Sequence, residues 1–307
     1  MFQNRNRLLL VIAVLGVTFL AELIGGLIFG SLSLVSDSIH VFSDLLTLAL
    51  TFVALQLALR MAPSDTMNFG YHRLEVFSAL FNGFTLLAVS GYIFYEAVER
   101  YLAPQPVQAK GALVIACIGL VVNLASAVIL HMGEDSKHDL NIRSAYLHLL
   151  GDAGASVAVI VGMLGIIWTG RTVIDPIVAG LISVLLVVGA IRVLWKGAEI
   201  LLQKAPVDLE AVRREIRTVD GVIDVEDLRL WQVCSHLTVG SAHIVTTVER
   251  LEETTSINTA IQALVQHTWR IRHMTLHFET PDMAEQHTHD FHHQHQAGET
   301  GHMHNHT

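Results

Sequence analysis

Two four-residue spacings hold the residues most able to do chemistry in this chain. Residues 36–44 read SDSIHVFSD and residues 146–152 read YLHLLGD, so His40 precedes Asp44 and His148 precedes Asp152 by four positions. On a helix, side chains four apart project from one face. Two such faces brought together offer two imidazoles and two carboxylates, a donor set that suits tetrahedral Zn²⁺. Two carboxylates cancel the dication, so a loaded site is close to neutral. An emptied site holds two negative charges, which favours proton uptake. The expected chemistry is therefore exchange of a divalent metal ion for protons. With all four positions filled by protein, no coordination position stays open for hydrolysis. Asp37, three residues before His40, shares roughly the same face and is either a vestibule or outer carboxylate of the site or a structural group.

The elements that must position these residues are apolar. The 307-residue chain is 52% hydrophobic and 15% charged, with a mean hydropathy of +0.49, whereas a soluble domain is about a quarter charged. The bias is uneven: residues 8–202 are almost wholly apolar, 203–280 have the composition of a soluble domain, and a histidine-crowded tail follows. A membrane span needs roughly 20 mostly apolar residues. Six segments qualify, near 8–29, 34–59, 77–101, 111–132, 144–168 and 175–201. The first is too long for the apolar core of a signal peptide and lacks a cleavage site, so it is read as a retained span. Both histidine–aspartate pairs then lie inside spans, the second and the fifth, where ionisable groups are costly and face a bundle interior or a water-filled path. A single pair reads equally well as a polar clamp between helices; two matched pairs point to function.

Basic residues orient the spans. Arg5, Arg7, Arg60, Arg73, Lys137 and Arg143 lie on one side, against Arg100, Lys110 and Arg171 on the other, which places both termini in the cytoplasm. A net charge of −9 without a basic patch disfavours nucleic acid as a partner. Cys117 and Cys234 have no metal-type spacing and are read as ordinary buried thiols. Glu22, Asn123 and Asp175 either line the path or make helix-packing contacts, Asp175 also opening a helix at Asp-Pro; the glycines at 25, 26, 151 and 154 are expected to let helices approach closely.

The soluble segment alternates helix, strand, strand, helix and strand over 207–281, an αββαβ order that suggests a ferredoxin-like α+β layer. In its last strand Met274, Leu276 and Phe278 alternate with His273, Thr275, His277 and Glu279, giving a core face and a polar face. The expected domains are 1–203 (transport), 204–281 (cytoplasmic) and 282–307, a disordered tail whose eight histidines suit metal collection.

The paired HxxxD in spans two and five, FGYHRLE after span two, the ferredoxin-like domain and the histidine-rich tail resemble the cation diffusion facilitator family, in particular its bacterial zinc-exporting branch. The resemblance covers about residues 8–281. It implies a homodimer in the cytoplasmic (inner) membrane that exports Zn²⁺ against protons by alternating access, with His40, Asp44, His148 and Asp152 as transport ligands. Histidine at the first position goes with zinc over cadmium in that family. Two departures stand out. Where some members have a histidine after Phe-Gly for a loop metal site, this chain has Tyr71, leaving Asp65 and the displaced His72 as a weak pair or as surface groups. Where members often have His-Asp-Leu on the first strand of the cytoplasmic domain, this chain has Glu226. A cytoplasmic zinc site of regulatory use would then draw on Glu226, His243, His277 and Glu279, with His236 as a further contributor across strands.

Rival classes explain less. An intramembrane metallohydrolase needs a motif such as HExxH, which is missing from the sequence. A membrane-anchored metal sensor or receptor accounts for the soluble domain and the tail but leaves the intramembrane pairs unused. A channel conflicts with closed tetrahedral ligation, since conduction needs weak binding.

Overall fold

The structure is a computed structural model describing residues 2–60, 67–131, 140–248 and 250–284; side chains are described within these except at 2–11, 48, 51–52, 54–60, 126–131, 140–150 and 152. The chain divides into two compact units, Met1–Gly197 and Ala198–Thr307.

The first unit contains six long helices: α1 (Phe2–Phe29), α2 (Leu32–Arg60), α3 (Arg73–Leu102), α4 (Ala109–His131), α5 (Leu140–Thr169) and α6 (Ile174–Leu201). Helix α1 packs on α2 and α4, α4 on α5, and α2 on α3 and α5. Their shared core is built from Leu34, Ala112, Ala116, Val159, Met163, Ile182 and Leu186. The outward faces are just as apolar, with Phe77, Phe81, Phe84, Tyr92, Val121, Val161, Trp168, Leu181, Leu185 and Trp195 all exposed. A helix that is hydrophobic all round needs a hydrophobic surrounding. Among the described residues, Ile12–Phe29, Arg73–Leu102 and Ile174–Leu201 are long and apolar enough to cross a membrane. The unit is a transmembrane helical domain.

Small residues set the helix spacing where side chains interlock. A Cβ on Gly25 would sit 3.2 Å from Ile115 of α4, and one on Gly26 would sit 2.7 Å from Val35 of α2. Gly151 and Gly154, expected to act alike, meet no described atom within 4 Å. The α1–α2 turn depends on Gly30, whose φ of +70° is a conformation that glycine adopts without a steric penalty. Cys117 is exposed on α4, contrary to the expectation of a buried thiol, because it lies on the helix face turned away from the core residues Ala112 and Ala116; Cys234 is buried.

The second unit contains α7 (Leu209–Ile216), β1 (Asp224–Cys234), β2 (Leu237–Val245), α8 (Leu251–Trp269) and β3 (His273–Glu279), with strand order β1-β2-β3. Asp208 caps α7, its carboxylate accepting from Glu210 N at 3.0 Å. Strands β1 and β2 form an antiparallel pair joined by a tight turn; β2 and β3 run parallel, as a helical crossover through α8 requires. Val212, Ile216, Leu230, Ile244, Ile257, Ile261 and Met274 fill the space between helices and sheet. Trp269 Nε1 donates to Glu215 Oε2 at 2.5 Å and fastens the end of α8 to α7.

Candidate metal sites

On α2 the local sequence gives a helix whose polar residues fall on few faces. His40 and Asp44 are both half-buried, and Asp37 is buried. The side chains of their expected partners His148 and Asp152 lie outside the described residues, although both positions belong to α5. What the structure does bring together is Asp37 and Ser156: Ser156 Oγ donates to Asp37 Oδ2 at 2.9 Å, a hydrogen bond between α2 and α5 with both residues buried. Ser156 went unnoticed in the sequence, although its position four residues after Asp152 puts it on the same helical stripe as the pair.

A second helix holds α2 from another side. Asn82 of α3 is buried and its Nδ2 donates to Thr47 Oγ1 at 2.8 Å and to Ser43 Oγ at 3.4 Å, flanking Asp44. No spacing rule singles out Asn82, because its partners are on another helix. Glu22 of α1 is buried among apolar neighbours, with Asp37 and His40 as the ionisable groups that act on it. Its carboxylate lies over Gly119 of α4, where a Cβ would fall 1.9 Å from Glu22 Oε1 and make the side chain move.

The loop pair does not assemble into a described site. Asp65 lies outside the described residues. His72 sits half-buried at the N-cap position of α3 in αR geometry (φ −56°, ψ −31°) and makes no side-chain capping bond. The histidine-rich tail from residue 285 onward also lies outside the described residues.

In the second unit the sheet register does the gathering. His243 on β2 is opposite His277 on β3, and Val245 is opposite Glu279. His243 Nδ1 lies 2.7 Å from Glu279 Oε1 and His277 Nε2 lies 3.5 Å from the same oxygen, with the two rings 5.1 Å apart between centroids. On the other side of β2, Glu226 is opposite His243. A bulge follows at once, with Asp227 at φ +42° before Arg229 pairs with Ser241. One departure from the alternation pattern matters: Glu279 was expected on a polar face, yet its side chain is 0% exposed while those of His243 and His277 are 30% and 56% exposed. The cause is geometric. Residue 279 ends β3 with one carboxylate oxygen against both His243 Nδ1 and His277 Nε2, so that the two imidazoles cover it. A buried carboxylate shared by two partly exposed imidazoles supplies N/O donors of the type Zn²⁺ takes. His236, on the β1–β2 turn, is paired instead with Ser235 Oγ at 2.7 Å from its Nδ1.

Comparison with known proteins follows the same division of the chain. The cation efflux transmembrane domain family matches residues 8–202, and the family of the cation efflux protein cytoplasmic domain matches residues 205–281. A cadmium, cobalt and zinc/H⁺-K⁺ antiporter of Bacillus subtilis is 35% identical over 94% of this chain and 92% of its own length. The metal cation efflux system protein CzcD of Cupriavidus metallidurans is 32% identical over 90% of this chain and 87% of its own. The zinc transporter ZitB of Escherichia coli is 36% identical over 75% and 74%.

Proposed function

Because this chain belongs to the cation efflux family, whose members are transporters and not enzymes, we propose that it exports Zn²⁺ from the cytoplasm in exchange for protons through a site formed by His40, Asp44, His148 and Asp152. Metal/proton antiport is the activity named for its Bacillus relative, and zinc is common to the names of the antiporter and of ZitB. Membership of an efflux family also disposes of the anchored-sensor alternative.

The observation that carries the site is the Asp37–Ser156 hydrogen bond, because it sets the register of α2 against α5. In a bundle of six consecutive spans, the second and fifth run in opposite directions. Moving from Asp37 toward the C-terminus of α2 therefore corresponds to moving from Ser156 toward the N-terminus of α5. At ~1.5 Å per residue, His40 and Asp44 stand about 4.5 and 10.5 Å beyond Asp37, while Asp152 and His148 stand about 6 and 12 Å beyond Ser156. His40 falls level with Asp152, and Asp44 with His148. Each histidine position is then level with an aspartate position of the other helix, the alternation that suits a four-coordinate dication. Asp37 belongs to this arrangement as the group that fixes the register, and Glu22 adds a further buried carboxyl beside it.

In this reading the domains are 1–203, 204–281 and the tail 282–307. The transport domain makes six spans with both termini in the cytoplasm of a bacterial inner membrane, and the αββαβ domain is ferredoxin-like. It supports a homodimer and binds a regulatory zinc ion. His243, His277 and Glu279 would hold that ion, with Glu226 next to His243. Asp65 and His72 have at most an accessory role, and the tail histidines gather metal. A bound ion would supply positive charge to these donors, while the chain's part is to hold Glu279 out of water and present the two imidazoles.

The deciding experiment is Zn²⁺ uptake into proteoliposomes under an imposed pH gradient, for the parent and for Asp152→Ala. The reading requires saturable uptake driven by the gradient and lost in the variant. Uptake indifferent to pH, or intact in Asp152→Ala, overturns it.

A further inference from the structure

Asp175 opens α6 beside a proline, and the sequence explains it as a helix start. The structure gives its carboxylate a different occupation. It is 0% exposed and accepts four hydrogen bonds, all from the start of α2: Ser31 Oγ at 2.8 Å and Ser33 Oγ at 2.6 Å to Oδ1, Ser33 N at 3.2 Å to Oδ1, and Leu32 N at 2.7 Å to Oδ2. A helix begins with four amides that have no partner of their own. Here all four are accounted for. Ser31 N goes to Gly26 O at 2.9 Å, Leu32 N and Ser33 N go to Asp175, and Leu34 N goes to Ser31 Oγ at 3.2 Å. The N-cap of α2 is thus supplied from another helix, 142 to 144 residues away in sequence. A buried carboxylate is tolerable here because four donors and the positive end of the α2 dipole converge on it.

The same turn is held from a third side. Arg100 Nη1 of α3 donates to Gly30 O at 3.1 Å, and Gln108 N, just before α4, donates to Phe29 O at 2.9 Å. His40 lies eight residues beyond Leu32, so the clamp sits two helical turns from the first proposed metal ligand.

We propose that Asp175 is a positioning residue for transport, clamping the N-terminal end of α2 to that of α6, and that this clamp stays closed through the transport cycle. It rests on the reading of His40 and Asp44 as transport ligands. Movement of α2 is then confined to pivoting about its N-terminal end, and the axial level of both ligands against α5 is preserved. Ser31 and Ser33 are secondary members, since loss of their hydroxyls leaves the two amide bonds in place. An Asp175→Asn change keeps the shape but offers one oxygen and turns an NH₂ toward donors, so Leu32 N or Ser33 N loses its partner.

The test uses the full chain reconstituted in proteoliposomes, in a C117A/C234A background. Asp175→Ala is expected to raise the apparent KM for Zn²⁺ about tenfold or more, Asp175→Asn to fall between it and the parent, and S31A/S33A to change KM by less than Asp175→Asn. The S33C/D175C pair is expected to be as impaired as Asp175→Ala while reduced, and to regain transport when the two thiols are joined by a short bifunctional reagent. A loss of folding alone would lower the amount of active protein without moving KM and would not be reversed by the crosslink. Unchanged KM in Asp175→Ala, or a joined pair that stays inactive, overturns the proposal. Zn²⁺ binding to the His40→Ala protein reports on the transport site independently: undiminished binding there sinks the site assignment, whatever Asp175 does.

Discussion

On α2 the two candidate ligands are four residues apart and share a helical face, whereas His243 and Glu279 touch at 2.7 Å although a helix and 35 intervening residues separate them. The membrane unit carries its candidate ligands as short-range pairs along single helices, and α2 packs on α5. The C-terminal unit takes residues distant in sequence and aligns them by strand register, with β2 in the middle of the sheet reaching β1 and β3 at once. Helical spacing is visible in a sequence and strand register is not. The difference also concerns solvent. In the bundle, polar groups are fastened by hydroxyls and an amide, as Asp37 is by Ser156 and Thr47 by Asn82. In the C-terminal unit the buried carboxylate is fastened by the proposed ligands themselves. A metal ion in the bundle would thus enter a frame held by other groups, and one in the sheet would compete with contacts among its own ligands.

The contrast can be broken most directly through flux. Asp44→Ala is expected to reduce Zn²⁺ transport by more than about a hundredfold, beyond the range seen when only supporting groups of a metal site are removed. His243→Ala should leave the transport site's own metal affinity unchanged. Equal loss of affinity at the transport site in both variants would end the separation of the two sites.

Next in size is Glu279→Gln. Because both imidazoles rest on that carboxylate, zinc binding to the second unit should weaken about 10–100-fold, measured by titration in a His40→Ala background that silences the transport site. Identical isotherms would remove the sheet site.

Smaller again is Ser156→Ala, which leaves a buried carboxylate oxygen short of one donor. Its expected cost is about 1–3 kcal/mol of bundle stability, read from thermal unfolding in detergent, together with a several-fold rise in KM as the α2–α5 register loosens. Gly119→Ala tests tolerance at the same depth. The added Cβ would fall 1.9 Å from Glu22 Oε1, so Glu22 must move, at about 1–3 kcal/mol for an overpacked site.

The smallest effect belongs to the surface of the second unit. Arg217 pairs with Asp224, both more than a third exposed. Arg217→Ala should cost less than about 1 kcal/mol, with the difference shrinking further in salt.

Much of this was legible from residue order. The long apolar segments became α1 to α6, and the helix, strand, strand, helix, strand pattern appears as α7 to β3, because periodicity and hydrophobicity are local properties. Glu226, His243, His277 and Glu279 were selected through the family resemblance, with alternation placing His277 and Glu279 on one strand face. That Glu279 is buried against His243 depends on the parallel pairing of β2 with β3, and alternation along one strand carries no information about the strand beside it. Asp175 shows the same limit from the membrane side. Its place before a proline marks a helix start, but nothing in that local signal says that its carboxylate serves the start of another helix.

The sequence by itself determined the class of protein, the long apolar segments and the ionisable residues set within them, since composition and a four-residue spacing are read along the chain. Only the tertiary structure decided which polar groups fasten to which: Ser156 to Asp37, Asn82 to Thr47, Asp175 to the first turn of α2, and Glu279 to His243. The reason is that a buried polar group must find its hydrogen-bond partner in space, and the nearest partner in space is not the nearest in sequence.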